Sequence, residues 1–192
     1  MTVTPDDLPL LGEPLAVELA NTLYGAGDDR IDFLATLRLI TTWFAHAGAA
    51  PRLPARLTRR DGDRLRDLRD AAHTLIGQTV DRLPLSPVAV EVLNRHAARG
   101  PRVLRLDVVG GGVRIGSSSP VRGIDAVLGL LAHEAIVLLG GPDAARLRRC
   151  DHPDCTMAFV QRHGRRRWCH PSCGHRTRQA SYYRRRSARA GA

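Results

Sequence analysis

Four cysteines, Cys150, Cys155, Cys169 and Cys173, are the side chains of this sequence best suited to chemistry. Their spacing is C-x4-C-x13-C-x3-C, and no cysteine precedes them. Two close thiol pairs joined by a short loop match the ligand pattern of a tetrahedral zinc site, with each sulfur about 2.3 Å from the ion. A catalytic zinc keeps three protein ligands and an open position, so four thiolates point instead to one structural Zn2+. Two disulfides are the competing use of the same residues. A reducing cytoplasm, the expected location of this chain, disfavours them. His152, His163, His170 and His175 lie among the cysteines. With four thiolates already available, they are expected at the surface or against a polyanion, not on the metal.

Arginine is concentrated in the same segment. Residues 146–192 carry 13 Arg against Asp151 and Asp154, a net charge of +11; residues 1–145 carry 16 Arg against 17 acids, a net charge of −1. The two add to the chain's +10. There is no lysine, and guanidinium groups bind phosphates and guanine edges bidentately. Arg162, Arg165, Arg166 and Arg167 before Cys169, and Arg176, Arg178, Arg184, Arg185 and Arg186 after Cys173, are therefore the candidate nucleic-acid contacts. Double-stranded DNA is the expected partner. Two alternatives remain open at this point: docking onto an acidic protein surface, and binding structured RNA with Tyr182 and Tyr183 stacking on bases.

These residues need a scaffold. The expected fold is mainly α with one β-hairpin. Residues 1–145 form a helical domain, 146–187 a small treble-clef-like zinc finger with a basic helix, and 188–192 a frayed tail. Leu15, Leu19 and Leu23 recur at helical spacing, as do Phe33, Leu34, Leu37, Ile40 and Phe44 before Gly48 and Pro51. Leu65, Leu68, Ala72, Leu75, Thr79 and Leu83 form the most regular apolar stripe, while Arg64, Arg66 and Arg69 alternating with Asp63, Asp67 and Asp70 read as its solvated face. Ser86-Pro87 and Ser119-Pro120 each offer a hydroxyl cap followed by proline at the first helical position. Alternating Leu104, Leu106 and Val108, then Val113 and Ile115 around three glycines, predict a hairpin near 103–115. A short basic helix is expected over 143–149.

Within the finger, a turn at Pro153 brings the first two sulfurs together, and residues 157–160 and 167–168 are expected to pair as two short strands. Pro171-Ser172 starts a helix with Cys173 in its first turn. Phe159 and Trp168 would supply a miniature core. So small a unit cannot hold itself by apolar burial, and zinc supplies about 10 kcal/mol or more in comparable modules.

Catalysis is not expected. His133-Glu134 begins a metalloprotease helix, but Val137 stands where the second histidine is needed. Gly110-Gly111-Gly112 lacks the lysine and hydroxyl of a phosphate loop, and Ser117-Ser118-Ser119 reads as a cap. No secretory leader is recognisable in the acidic first 18 residues, and the apolar run over 124–139 is interrupted by Asp125, His133 and Glu134, so no membrane span is expected. Asn21 and Thr22 interrupt an apolar pattern, either as part of a ligand pocket or as a buried hydrogen bond tying helix to hairpin.

Arg166-Arg167-Trp168-Cys169-His170-Pro171-Ser172-Cys173-Gly174-His175-Arg176, with Phe159 upstream, resembles the CGNR-type zinc finger. The segment Leu15-Ala16-Val17-Glu18-Leu19-Ala20-Asn21-Thr22-Leu23 resembles the start of the ABATE domain that accompanies it. The resemblance implies a bacterial, stress-related transcriptional regulator with zinc on Cys150, Cys155, Cys169 and Cys173. In such a protein the first domain would sense a small-molecule effector or form a homodimer. His175 stands where the family has asparagine, which leaves the metal ligands intact and any inherited base preference open.

Overall fold

The computed structural model describes residues 8, 10–25, 27–47 and 51–190, the last eight of these as backbone only. A bundle of five helices carries the finger at one end. Helix α1 (Leu15–Asn21) is buried at every residue and runs through the centre. Its Glu18 accepts hydrogen bonds from the Leu11 and Glu13 N–H groups at 2.8 and 2.7 Å. Burial still pushes that carboxyl above its ordinary pKa. Leu23 does not extend the helix: Leu23–Tyr24 (β1) pairs antiparallel with Ile31–Asp32 (β2).

Helix α2 (Leu37–His46) is capped by Thr36, and α3 (Arg59–Asp81) by a Thr58/Asp61 capping box. Helix α4 (Pro87–Arg99) starts as its sequence predicts, with the Ser86 hydroxyl accepting from the Ala89 N–H. Helix α5 (Ile124–Gly140) does not start at Ser119-Pro120. Its cap is Gly123, at φ 71°, and the Ser119 hydroxyl accepts only from the Val121 N–H in a local turn. α4 and α5 cross at Gly100 and Gly129, where a Cβ on either residue would collide with the other's backbone. Between them, β3 (Val103–Val109) and β4 (Gly112–Ser118) form the hairpin, turned by Gly110 and Gly111 at φ 58° and 81°.

The apolar stripe of α3 packs as its periodicity requires, with Leu65, Leu68, Ala72 and Leu75 buried. Leu83 lies beyond the helix and is 56% exposed. Arg69, read as solvated, is instead buried at 2% exposure. Its guanidinium grips both Asp32 oxygens at 2.8 and 2.9 Å and reaches Asp70 at 2.5 Å. The β1–β2 ribbon delivers that carboxylate, a contact without a periodic signature.

No helix spans 143–149. A short 3-10 turn (Pro142–Arg146) leads into strand β5 (Leu147–Arg149), which pairs antiparallel with β6 (Ala158–Val160). The partner of 157–160 is thus the chain before the first cysteine, not residues 167–168. Leu147 needs burial, and the strand places it in the bundle core with Val160 at 2 and 0% exposure. Helix α6 (Pro171–Ala190) closes the fold and continues through 188–190 of the segment read as a frayed tail. Residues 191 and 192 lie outside the described residues. No helix among the described residues is long and apolar enough to cross a membrane.

Candidate metal centre

The four cysteines converge from three elements. Cys150 follows β5, Cys155 closes the turn after it, Cys169 precedes α6, and Cys173 sits in the first turn of α6. The Cys155 N–H donates to the His152 carbonyl at 3.0 Å, and the Cys173 N–H to the His170 carbonyl at 3.1 Å, so each pair sits on a tight turn. All four sulfurs lie within 4.8 Å of one another and are buried, with no disulfide. A tetrahedron of sulfurs around zinc has edges of about 3.8 Å. Cys155 and Cys169 Sγ are 3.7 Å apart, and Cys169 and Cys173 Sγ 3.8 Å. The donor set and its dimensions fit zinc.

The electrostatics explain why a cation belongs there. The Cys169 thiol hydrogen bond pulls the Cys155 pKa down to about 5, while burial pushes Cys150 up. That same bond, together with burial, holds Cys169 up. Four sulfurs this close cannot all ionise without a compensating charge. Backbone and side-chain donors assist: the Cys169 N–H reaches Cys150 Sγ at 3.5 Å, and Arg176 Nη2 reaches Cys173 Sγ at 3.2 Å.

Cys173-Gly174-His175-Arg176 acquires a physical reading from this geometry. Cys173 is a ligand, and Arg176 offsets the negative charge of the thiolate cluster. A Cβ at Gly174 would lie 3.0 Å from the Trp168 ring, so glycine lets that indole pack on the helix. His175 is exposed. Phe159 is fully buried among the cysteines, and Trp168 is half-buried beside them with Leu11, Tyr24 and Met157.

The candidate nucleic-acid arginines divide. Arg162 and Arg165 are exposed and have no ion-pair partner among the described residues. Arg166 turns inward. It donates to the Cys169 and Trp168 carbonyls at 2.7 and 3.1 Å, lies 4.5 Å from the Phe159 ring centroid, and pairs with Glu13 at 2.6 Å. Arg167 pairs with Asp151 at 2.7 Å, and both Arg167 and Arg178 lie 5.7 Å from the Trp168 ring centroid. Positions 184–186 lie on α6, but the side chains of Arg184, Arg185 and Arg186 lie outside the described part. Among the histidines, His163, His170 and His175 are exposed, whereas His152 is buried, with Nδ1 accepting from the Asp154 N–H at 3.2 Å.

The finger is seated on the bundle by polar side chains, of which the sequence singled out only Asn21. Asn21 acts like a strand neighbour to β6, donating to the Ala158 carbonyl and accepting from its N–H, both at 3.0 Å. The hairpin it ties is the finger's, not β3–β4. Glu13 accepts from the Val160 N–H at 2.9 Å, the Tyr24 hydroxyl donates to the Asp154 carbonyl at 2.8 Å, and Arg149 pairs with Asp81 at 2.8 Å. The Thr22 hydroxyl donates to the Leu19 carbonyl at 2.6 Å and accepts from Arg69 Nη1 at 3.4 Å, so Thr22 does not touch the finger. Glu13 carried no signal in the sequence, because its two partners lie more than 140 positions away.

No curated protein matches the chain. Family comparison gives two adjacent matches, neither described as an enzyme family. Residues 13–142 match ABATE, described as a "putative stress-induced transcription regulator", and residues 146–186 match the CGNR zinc finger. The first covers more than half of the chain, and the second contains the complete sulfur cluster. The chain belongs to the ABATE family and ends in a CGNR zinc finger that binds zinc through Cys150, Cys155, Cys169 and Cys173.

Proposed function

We propose that this protein is a zinc-dependent, DNA-binding transcriptional regulator whose finger presents arginines to double-stranded DNA. One observation carries the reading: α6 holds no acidic residue over its 20 positions, and most of its side chains from His175 to Tyr182 are exposed. A helix of that length spans about 30 Å. Its arginines repel one another unless a polyanion offsets them, and the B-DNA major groove admits a helix of this width. Zinc joins the start of α6 to the loop bearing Arg162 and Arg165, so both basic elements keep one orientation. Arg166 and Arg176 act as positioning residues: one seats the finger and the other supports the cluster.

The bundle is the place for effector sensing or oligomerisation. A cleft of about 470 Å3 is lined by Arg60, Arg64, Asp67, Arg95, His96, Arg99 and Asp125; Arg64 pairs with Asp125 and Arg95 with Asp67, which leaves Arg60 and Arg99 to receive a small anion.

Selection from a random DNA pool by the zinc-loaded protein should enrich a sequence, with affinity falling steeply as salt rises. Arg162→Ala with Arg165→Ala should weaken binding and reduce the logarithmic salt slope by about two, one per lost phosphate contact. Cys169→Ser with Cys173→Ser should abolish binding. A metal-free variant that binds the same DNA equally well sinks the mechanism. So does a protein that enriches no sequence, or one whose DNA is displaced preferentially by structured RNA at fixed salt.

A further inference from the structure

The β3–β4 hairpin pairs Leu104 with Ser117, Leu106 with Ile115, and Val108 with Val113. Side chains alternate faces along a strand, so Leu104, Leu106, Val108, Val113 and Ile115 share one face. The other face carries Arg105, Asp107 and Arg114 between Val103 and Val109 at the strand ends, with the Asp107 carboxylate folded over Gly116. The five apolar residues are 73, 70, 79, 69 and 75% exposed in that order. A lone two-stranded hairpin is marginal in water, and a contiguous apolar patch of this kind marks an interface.

We propose that this face is the contact between two copies of the chain, with the hairpins packed face to face about a two-fold axis. The patch carries no charge, so an acidic or basic partner finds nothing to pair with. A second apolar face of the same shape and pleat complements it, and a two-fold axis supplies one automatically. Two copies together bury on the order of 1,000 Å2, the size at which specific interfaces begin. Pairing the strand edges into one longer sheet would leave all these side chains in water. Face-to-face packing covers them and leaves the Arg105–Asp107–Arg114 face solvated.

Sedimentation equilibrium of the full zinc-loaded chain over the micromolar range tests this directly. The wild type should be a dimer, Leu106→Arg with Ile115→Arg a monomer, and Arg105→Glu on the opposite face a dimer still. Hydrogen exchange gives a readout that does not depend on how the arginine variant folds: protection of amides 103–118 in the wild type should rise with protein concentration. A wild type that stays monomeric, a dimer that survives the double substitution, equal disruption by Arg105→Glu, or protection independent of concentration would each overturn the proposal.

Discussion

Two antiparallel ribbons in this chain have opposite fates. β5–β6 has three residues per strand, yet Leu147, Phe159 and Val160 are buried at 2, 0 and 0% exposure. β3–β4 has seven per strand and leaves its whole apolar face in water. Length and strand propensity favour the second ribbon, but cover belongs to the first. Sheet stability comes from what packs on the faces, and the finger's ribbon has the bundle core on one side and the thiolate cluster on the other. The small β1–β2 ribbon stands between them, held by the Asp32–Arg69 ion pair and little apolar burial.

Removing the cover should therefore rank the ribbons. Stripping zinc with a chelator, or changing Cys169 and Cys173 to serine, should have the largest effect, with about 10 kcal/mol or more of metal-binding free energy lost from the finger. The loss should spread past residue 146, because β6 is bonded to Asn21 and Val160 lies in the bundle core. Hydrogen exchange should show α1 losing protection along with the finger. A finger that melts while α1 keeps full protection would show the two regions to be uncoupled.

Arg69→Met should come next, costing about 3 kcal/mol by leaving Asp32 half-buried without its partner. The same pair predicts acid sensitivity. Burial alone would raise the Asp32 pKa, but the Arg69 hydrogen bonds and charge outweigh it and hold the carboxyl below its ordinary value. A carboxylate depressed in the folded state contributes stability that is present above its unfolded pKa and lost as pH falls through the folded one. The wild-type melting temperature should thus drop more than that of Arg69→Met between about pH 5 and pH 2. Parallel pH profiles for the two proteins would remove the ion pair from the account.

Asn21→Ala should cost about 1 kcal/mol, since it removes both side-chain hydrogen bonds to the half-buried Ala158 backbone. Urea melts resolve a change of that size. The smallest effect belongs to the projecting hairpin: Leu106→Ser in dilute monomer should shift stability by no more than about 0.5 kcal/mol, as exposed substitutions do. A large loss in the monomer would mean that the hairpin already has cover within its own chain.

Legibility in the sequence followed the range of the interaction. The Ser86 cap, the α3 stripe, the hairpin alternation and the proline start of α6 each act within a few residues, and each is present. The Ser119 cap failed because a serine–proline pair also suits a tight turn, and Gly123 offers the helix a closer start. The 143–149 helix failed because Val160 of β6 offers Leu147 a strand partner and a place in the core. Arg69 read as solvated and Arg166 as a nucleic-acid contact because their carboxylates, Asp32 and Glu13, come from remote parts of the chain.

Alone, the sequence determined the metal ligands, the confinement of positive charge to the last quarter, and the order of the main helices. Each is set by residue type and short spacing: thiolates need zinc geometry, charges sum wherever they lie, and helical periodicity is local. Only the tertiary structure decided which arginines face solvent and which hold the protein together. Arg165 and Arg166 are adjacent and chemically identical, yet one meets solvent and the other meets Glu13. Docking of the finger on α1 makes that choice, because a guanidinium's role depends on which carboxylate the fold brings within reach.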